Sequence, residues 1–175
     1  MLIAMVTVKA GKEGKVARDL MDALFPYDQK VKVSGTDFSG ILLLETSLEP
    51  DELLKLMERK PIAHLYKVRP FLHYSSFDEE GLRKALLQIL SRLNVEWKKF
   101  LVRVRVRGNK DVKEGELAIK LAKSIEEELR KKGDLKKPEI IVKVDVIGKH
   151  VGVSIYKGNT FIHISGYRER SIEKV

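Results

Sequence analysis

Residues 100–108, Phe-Leu-Val-Arg-Val-Arg-Val-Arg-Gly, alternate between apolar and basic side chains. Because successive side chains of a β-strand point to opposite faces, this alternation predicts a strand with valines on one face and arginines on the other. The basic face consists of Arg103, Arg105 and Arg107. Arginines two positions apart on a strand lie about 6.6 Å from each other, which suits successive backbone phosphates. The pattern therefore predicts a nucleic-acid-binding face on this strand, which we call the arginine strand.

The positive charge of the chain is concentrated in its second half. Residues 1–75 contain 11 Lys and Arg against 10 Asp and Glu, whereas residues 76–175 contain 23 against 15. The ion-paired surface of a thermophilic protein explains many lysines, but it balances its signs and does not explain a net charge of +9. The second half is therefore expected to bind a polyanion.

The first half is predicted to have the element order βαββαβ. Apolar periodicity and the positions of Gly and Pro indicate strands at 2–8, 31–33, 40–46 and 64–74, and helices at 15–25 and 50–59. Pro70 places the last strand near an edge or a bulge. This order is that of a ferredoxin-like module. The boundary is expected at Ser75–Asp78, which divides the chain into domains 1–75 and 76–175.

The second half is predicted to be a second α/β module. After the boundary we expect a helix with a Ser76/Glu79 capping box, the arginine strand, and a second helix over about 113–132 with Asp111 and Glu114 as candidate caps. Strands at 139–147 and 150–156, joined by a hairpin at Gly148-Lys149, and a short strand at 160–165 are expected to follow. The acidic run at 126–128 is expected to pair with the basic run at 130–132. Asp145 is expected to pair with a neighbouring Lys or Arg. The fold class is therefore α/β, with two modules.

Residues 78–160 resemble a THUMP domain, an RNA-binding module of tRNA-modifying enzymes. The features that carry the resemblance are Trp97 and Phe100 before the arginine strand, the apolar stripe of the 117–129 helix, Lys137-Pro138-Glu139 before the next strand, and residues 151–155. A ferredoxin-like module usually precedes such a domain. The resemblance implies tRNA binding in tRNA modification.

The family generally continues into a methyltransferase, a sulfur-transfer synthetase or a pseudouridine synthase, and no such domain is expected here after residue 175. The branch without a catalytic domain is similar to the adaptor of tRNA cytidine acetylation. That resemblance implies binding of the acceptor stem and CCA end, and presentation of tRNA to a separate RNA cytidine acetyltransferase. An obligate subunit of another RNA-modification enzyme, and a ligand-binding regulatory module without an RNA role, remain alternatives.

Catalytic motifs are not recognised in the sequence. Phosphate-loop and dinucleotide fingerprints are missing, the four histidines are scattered, and His163 with Ser165 lacks a third partner. We therefore expect a protein that is not an enzyme, with no catalytic residue, metal or cofactor. The lack of cysteine excludes disulfides. Without a signal peptide or a membrane-spanning apolar stretch, a cytoplasmic location is expected.

Eleven basic residues are predicted to contact RNA, and they lie on the arginine strand, in the loops near it, on the hairpin and in the C-terminal tail. They are Arg103, Arg105, Arg107, Lys110, Lys113, Lys136, Lys137, Lys143, Lys149, Arg168 and Arg170. The alternative for the arginine face is pairing with the Glu-rich helix. Trp97 and Phe100 are predicted to be core residues rather than platforms for base stacking.

Overall fold

The computed structural model describes residues 1–164, which form two compact units that divide between Phe71 and Leu72. The elements of the first unit are β1 (Leu2–Val8), α1 (Glu13–Leu24), β2 (Lys32–Gly35), β3 (Ile41–Thr46), α2 (Pro50–Arg59) and β4 (Leu65–Pro70). Those of the second unit are β5 (His73–Ser76), α3 (Glu79–Ser91), β6 (Lys99–Arg107), α4 (Glu114–Leu129), β7 (Lys132–Gly133), β8 (Ile140–Ile147), β9 (His150–Lys157) and β10 (Thr160–Phe161). The mixed α/β class is confirmed.

The first unit is an antiparallel sheet with the strand order β2-β3-β1-β4. This order and the two intervening helices are those of the ferredoxin-like βαββαβ module, as the sequence predicts. The core contains the alternate β1 residues Leu2, Ala4, Val6 and Val8, together with Leu20 of α1 and other buried apolar side chains of both helices. The period-two pattern of β1 and the helical stripes therefore meet in one apolar core.

A buried carboxylate holds two loops of the first unit together. Asp28, which is 4% exposed, accepts hydrogen bonds from Thr46 Oγ1 at 2.7 Å, from the Ser47 amide at 2.7 Å and from the Lys30 amide at 3.0 Å. Burial acts to raise the pKa of Asp28, but these hydrogen bonds outweigh it and lower the pKa from 3.8 to about 2. The ionised side chain thus fixes the segment after α1 against the end of β3.

The single strand predicted over residues 64–74 is two strands in two different sheets. β4 forms an edge of the first sheet, with a register shift between Thr7 and Val8 on its partner strand, whereas β5 pairs with β9 in the second sheet. Pro70 ends β4 at that edge, where its missing N–H costs no ladder hydrogen bond. The division of the chain at Phe71/Leu72 follows directly after this proline.

The second unit is built on a sheet with the strand order β10-β9-β8-β6-β7, in which β5 also pairs with β9. β6 runs parallel to β7 and β8, and β8 and β9 form an antiparallel hairpin whose Gly148 has φ +60°. Helix α4 packs against β6, and α3 packs against α4. Trp97 and Phe100 are buried in an edge-to-face contact, which confirms the prediction that both are core residues.

The capping residues predicted for the two helices of the second half are wrong. Asp78 caps α3 by accepting the Gly81 amide at 2.7 Å, while Ser76 belongs to β5. Lys113 occupies the N-cap of α4 without a side-chain cap, and Glu114 instead accepts the Val106 amide of β6 at 2.8 Å.

In residues 1–164, no helix has the length and apolar character needed to cross a membrane.

Candidate nucleic-acid interface

The two faces of β6 carry different chemistry. In the parallel register with β8, Val104 lies beside Val144, whereas Arg103 lies beside Lys143 and Arg105 beside Asp145. Residues in register on adjacent strands point to the same side of a sheet, so the arginines share a face with Lys143 and Asp145. The predicted separation into a valine face and an arginine face is confirmed.

Arg103 and Arg105 are exposed, and we call this pair the arginine strip. Within residues 1–164, neither side chain makes a hydrogen bond or an ion pair. The acidic run of α4 has other partners: Glu126 accepts the Gly133 amide, Glu127 pairs with Lys123, and Glu128 pairs with Arg83. The predicted pairing of that run with residues 130–132 is therefore wrong, and none of the described residues occupies the guanidinium groups of the arginine strip.

Arg107 has a structural partner. Its guanidinium lies 3.1 Å from a carboxylate oxygen of Asp145, and the side chains of the two residues are 24% and 1% exposed. Removing this arginine deletes one charged hydrogen bond of a buried carboxylate. The sequence-based expectation of an ion pair for Asp145 is thus confirmed, and Arg107 is the least available of the three arginines.

Three further predicted contacts lie beyond the end of β6. The Asn109 side-chain amide donates to the Gly148 carbonyl at 3.1 Å, and the Gly148 amide donates to the Arg107 carbonyl at 2.7 Å. These bonds hold the loop after β6 against the β8–β9 hairpin. Of the three lysines on these two segments, Lys110 and Lys149 are exposed without an ion pair among the described residues, while Lys113 pairs with Glu116 at 3.4 Å.

Lys143 is half-buried on the arginine face. Its ammonium lies 4.4 Å from the centroid of the buried Tyr156 ring, in the geometry of a cation–π contact. This contact accounts structurally for a basic residue in the middle of β8. Lys143 is therefore nearer to the core than the predicted RNA contacts of the loops.

Lys136 and Lys137 lie at the opposite end of the sheet from Lys110 and Lys149. Their backbone amides both donate to Asp134 Oδ1 at 2.9 Å, and these bonds lower the pKa of Asp134. The side chains of both lysines are exposed. Since the nine residues of β6 separate the two ends by about 26 Å, the predicted contacts do not form a single compact cluster.

The predicted list misses exposed cations near the start of β6. Lys98, Arg130 and Lys132 are exposed, and no described residue forms an ion pair with them. The sequence signal for Arg130 and Lys132 is the basic run at 130–132, which the helical periodicity assigns to ion pairs with the acidic run at 126–128. Arg130 has φ +54° and lies just past the end of α4, so its side chain is not placed for that pairing.

The remaining candidate residues are those of the C-terminal tail and the histidines. Arg168, Arg170 and Ser165 lie outside the described residues. Within residues 1–164, no cluster of three or more His, Asp or Glu side chains is arranged to hold a metal ion. His73 Nε2 and Ser75 Oγ lie 2.9 Å apart on β5, and burial lowers the pKa of His73.

Comparison with known families and structures relates the second unit to one family. Residues 77–156 match the family model of the THUMP domain, and the second unit therefore contains a THUMP domain. No curated protein sequence matches the chain. The prediction of this domain from the sequence is confirmed.

Three solved structures share the fold at low identity. PH1313 from Pyrococcus horikoshii Ot3 is 18% identical, with a TM-score of 0.71 over 90% of this chain and 55% of that one. TrmN from Thermus thermophilus is 18% identical, with a TM-score of 0.63 over 92% and 47%. A 4-thiouridine synthetase solved in complex with RNA and ATP is 15% identical, with a TM-score of 0.62 over 90% and 42%. This chain thus spans about half the length of each.

Proposed function

Taking the THUMP domain at residues 77–156 as the premise, we propose that this chain is a tRNA-binding adaptor that holds tRNA for a separate modifying enzyme. The observation that carries the proposal is the arginine strip: two exposed arginines, whose backbone positions lie about 6.6 Å apart along the strand, without a partner among the described residues. Guanidinium groups bind phosphate oxygens through paired hydrogen bonds. The strip therefore contacts the RNA backbone.

Two further observations support an RNA ligand. The chain carries a net charge of +9, and most of the excess lies in residues 76–175. One of the proteins with the same fold was solved in complex with RNA. Phosphate contacts position a protein on a nucleic acid and make its affinity salt-dependent, which is the mode that exposed Arg and Lys side chains provide.

The adaptor role and the identity of the enzyme are the finer part of the proposal. The chain contributes binding and positioning, while the chemistry belongs to a separate cytoplasmic enzyme. The resemblance seen in the sequence favours an RNA cytidine acetyltransferase as that enzyme and the acceptor stem with its CCA end as the bound region. No catalytic role is assigned to this chain.

Gel-shift titrations test the RNA ligand. A full tRNA transcript, an acceptor-stem minihelix and a duplex DNA of equal length are titrated at about 50 and 200 mM salt, a range over which six or more phosphate contacts lose at least 10³ in affinity. We expect the tRNA and the minihelix to bind more tightly than the DNA, with binding that weakens steeply at the higher salt. Equal binding of DNA and RNA contradicts the tRNA assignment.

A second assay tests the adaptor role. Acetyl transfer to tRNA by a separate RNA cytidine acetyltransferase is measured with and without this chain, and with the chain alone. We expect no product from the chain alone and a higher rate when it is added to the enzyme. A stable stoichiometric complex with another modifying enzyme favours the obligate-subunit alternative, whereas ligand-dependent thermal stabilisation without tRNA binding favours the regulatory module.

A further inference from the structure

A second group of exposed cations, which we call the lysine cluster, surrounds the start of β6. It consists of Lys98, Arg130, Lys132, Lys136 and Lys137. Hydrogen bonds bring these segments together: the Lys132 amide donates to the Lys98 carbonyl at 2.9 Å, and the Lys98 amide donates to Glu139 Oε2 at 2.6 Å. Within residues 1–164, none of the five cations has an ion-pair partner.

The carboxylates among these segments serve to shape the backbone. Asp134 accepts two loop amides and lies 3.5 Å from the Lys99 ammonium. Glu126 accepts the Gly133 amide, and Glu139 accepts the Lys98 amide. Because these acids bond backbone N–H groups, they arrange the loop and pair with none of the five cations. The local charge is thus positive on a surface with a defined backbone.

Lys132 of the lysine cluster lies on the same face of the sheet as the arginine strip. Lys132 is in register with Lys99, and Lys99 points to the same side of β6 as Arg103 and Arg105 because odd-numbered residues alternate with the buried Phe100 and Val102. Arg105 lies six positions after Lys99, which corresponds to about 20 Å along the strand. B-form DNA rises about 3.4 Å per base pair, and an A-form RNA stem rises less, so that distance corresponds to at least about six base pairs of RNA.

We propose that the lysine cluster and the arginine strip form two phosphate-binding subsites that together bind one RNA stem of at least about six base pairs. This inference rests on the proposed function and specifies the base-paired stem as the part of the RNA that these two subsites bind. A shorter stem reaches one subsite only.

A stem-length series tests the two subsites. Hairpins with 4, 6, 8 and 10 base pairs and a common loop are titrated with the full chain and with its K132A/K136A/K137A variant. These truncations keep every backbone hydrogen bond that shapes the loop. We expect the affinity of the unaltered chain to rise about tenfold or more between 4 and 8 base pairs, and we expect the variant to lose that rise.

A K84A/K120A/K123A variant is the matched control, since it removes three exposed lysines from α3 and α4. It should retain the dependence on stem length. If the lysine-cluster variant retains that dependence too, the second subsite is wrong even though RNA binds. If the lysine-cluster variant retains the dependence on stem length and loses only the stimulation of the modifying enzyme, the cluster is a protein-docking surface and the inference is overturned. A chain that binds no hairpin of any length contradicts the proposed function itself.

Discussion

The two units use charged side chains in different ways. In the first unit the strongly perturbed charge is the buried Asp28 carboxylate, which is surrounded by hydrogen-bond donors and ties two loops together. In the second unit, Arg103, Arg105 and the lysine cluster are exposed and unpaired among the described residues. The first arrangement contributes to stability, whereas the second is available to a ligand. Variants of individual charges distinguish these two uses.

Arg107 gives the sharpest exception to this division, because it is a cation of the second unit with a structural partner. In the R107A variant the buried Asp145 loses its charged hydrogen bond from Arg107, and we expect the free energy of unfolding to fall by about 3 kcal/mol. Urea denaturation measures this change. The R103A variant removes an exposed arginine from the same face and should shift the free energy of unfolding by less than about 0.5 kcal/mol. Equal shifts for the two variants contradict the assignment.

Asp28 tests the opposite use of charge in the first unit. Its pKa is lowered from 3.8 to about 2, so its ionised form stabilises the folded state by about 2 kcal/mol above pH 4. This contribution is lost as the pH falls through 2, because the folded state then takes up the proton. We expect the D28N variant to be less stable by about that amount at pH 7 and to approach the unaltered chain near pH 2.

The comparison requires that D28N leave RNA binding unchanged. Denaturant titrations at pH 7, 4, 3 and 2 measure the stability difference, and a tRNA titration at pH 7 measures the affinity. A stability difference that is constant over this pH range shows that ionisation of Asp28 is not the source of its effect.

Lys143 should show the smallest effect, since it lies on the arginine face but contacts the Tyr156 ring. A cation–π contact contributes about 0.5–1 kcal/mol at a partly exposed site. The K143A variant is expected to lose stability by that amount while its tRNA affinity changes less than twofold. A tenfold loss of affinity without a change in stability makes Lys143 an RNA contact, as the sequence predicts.

Local patterns predicted most of the fold. The alternation in β6, the buried run of β3 and the Gly148 turn each depend on near neighbours in the chain, and each element forms where the pattern indicates. The strand at 64–74 was placed wrongly because its apolar pattern continues across Pro70. Which sheet a strand joins depends on partners far along the chain, here β1 for β4 and β9 for β5.

The candidate site was less predictable because ion pairing depends on register. The partner of Arg107 lies 38 residues away on β8, where the parallel register places Asp145 beside Arg105 and diagonal to Arg107 on the same face. Arg130 and Lys132 of the lysine cluster were missed because α4 ends at Leu129, and the left-handed Arg130 moves the basic run at 130–132 away from the helix face. A sequence pattern gives the face of a strand, but it does not give the residues that neighbouring strands place there.

The salt dependence of RNA binding by the R103A/R105A variant tests the central claim most directly. Each charged hydrogen bond contributes about 1.5 kcal/mol, so we expect the affinity for the acceptor-stem minihelix to fall about 100-fold at low salt. The slope of log affinity against log salt should become shallower by about 1.4–1.8, as for two lost phosphate contacts. The K84A/K123A variant, which removes the same charge from α3 and α4, should keep the original slope. An R103A/R105A variant with unchanged affinity and slope contradicts the claim that the arginine strip binds the RNA backbone.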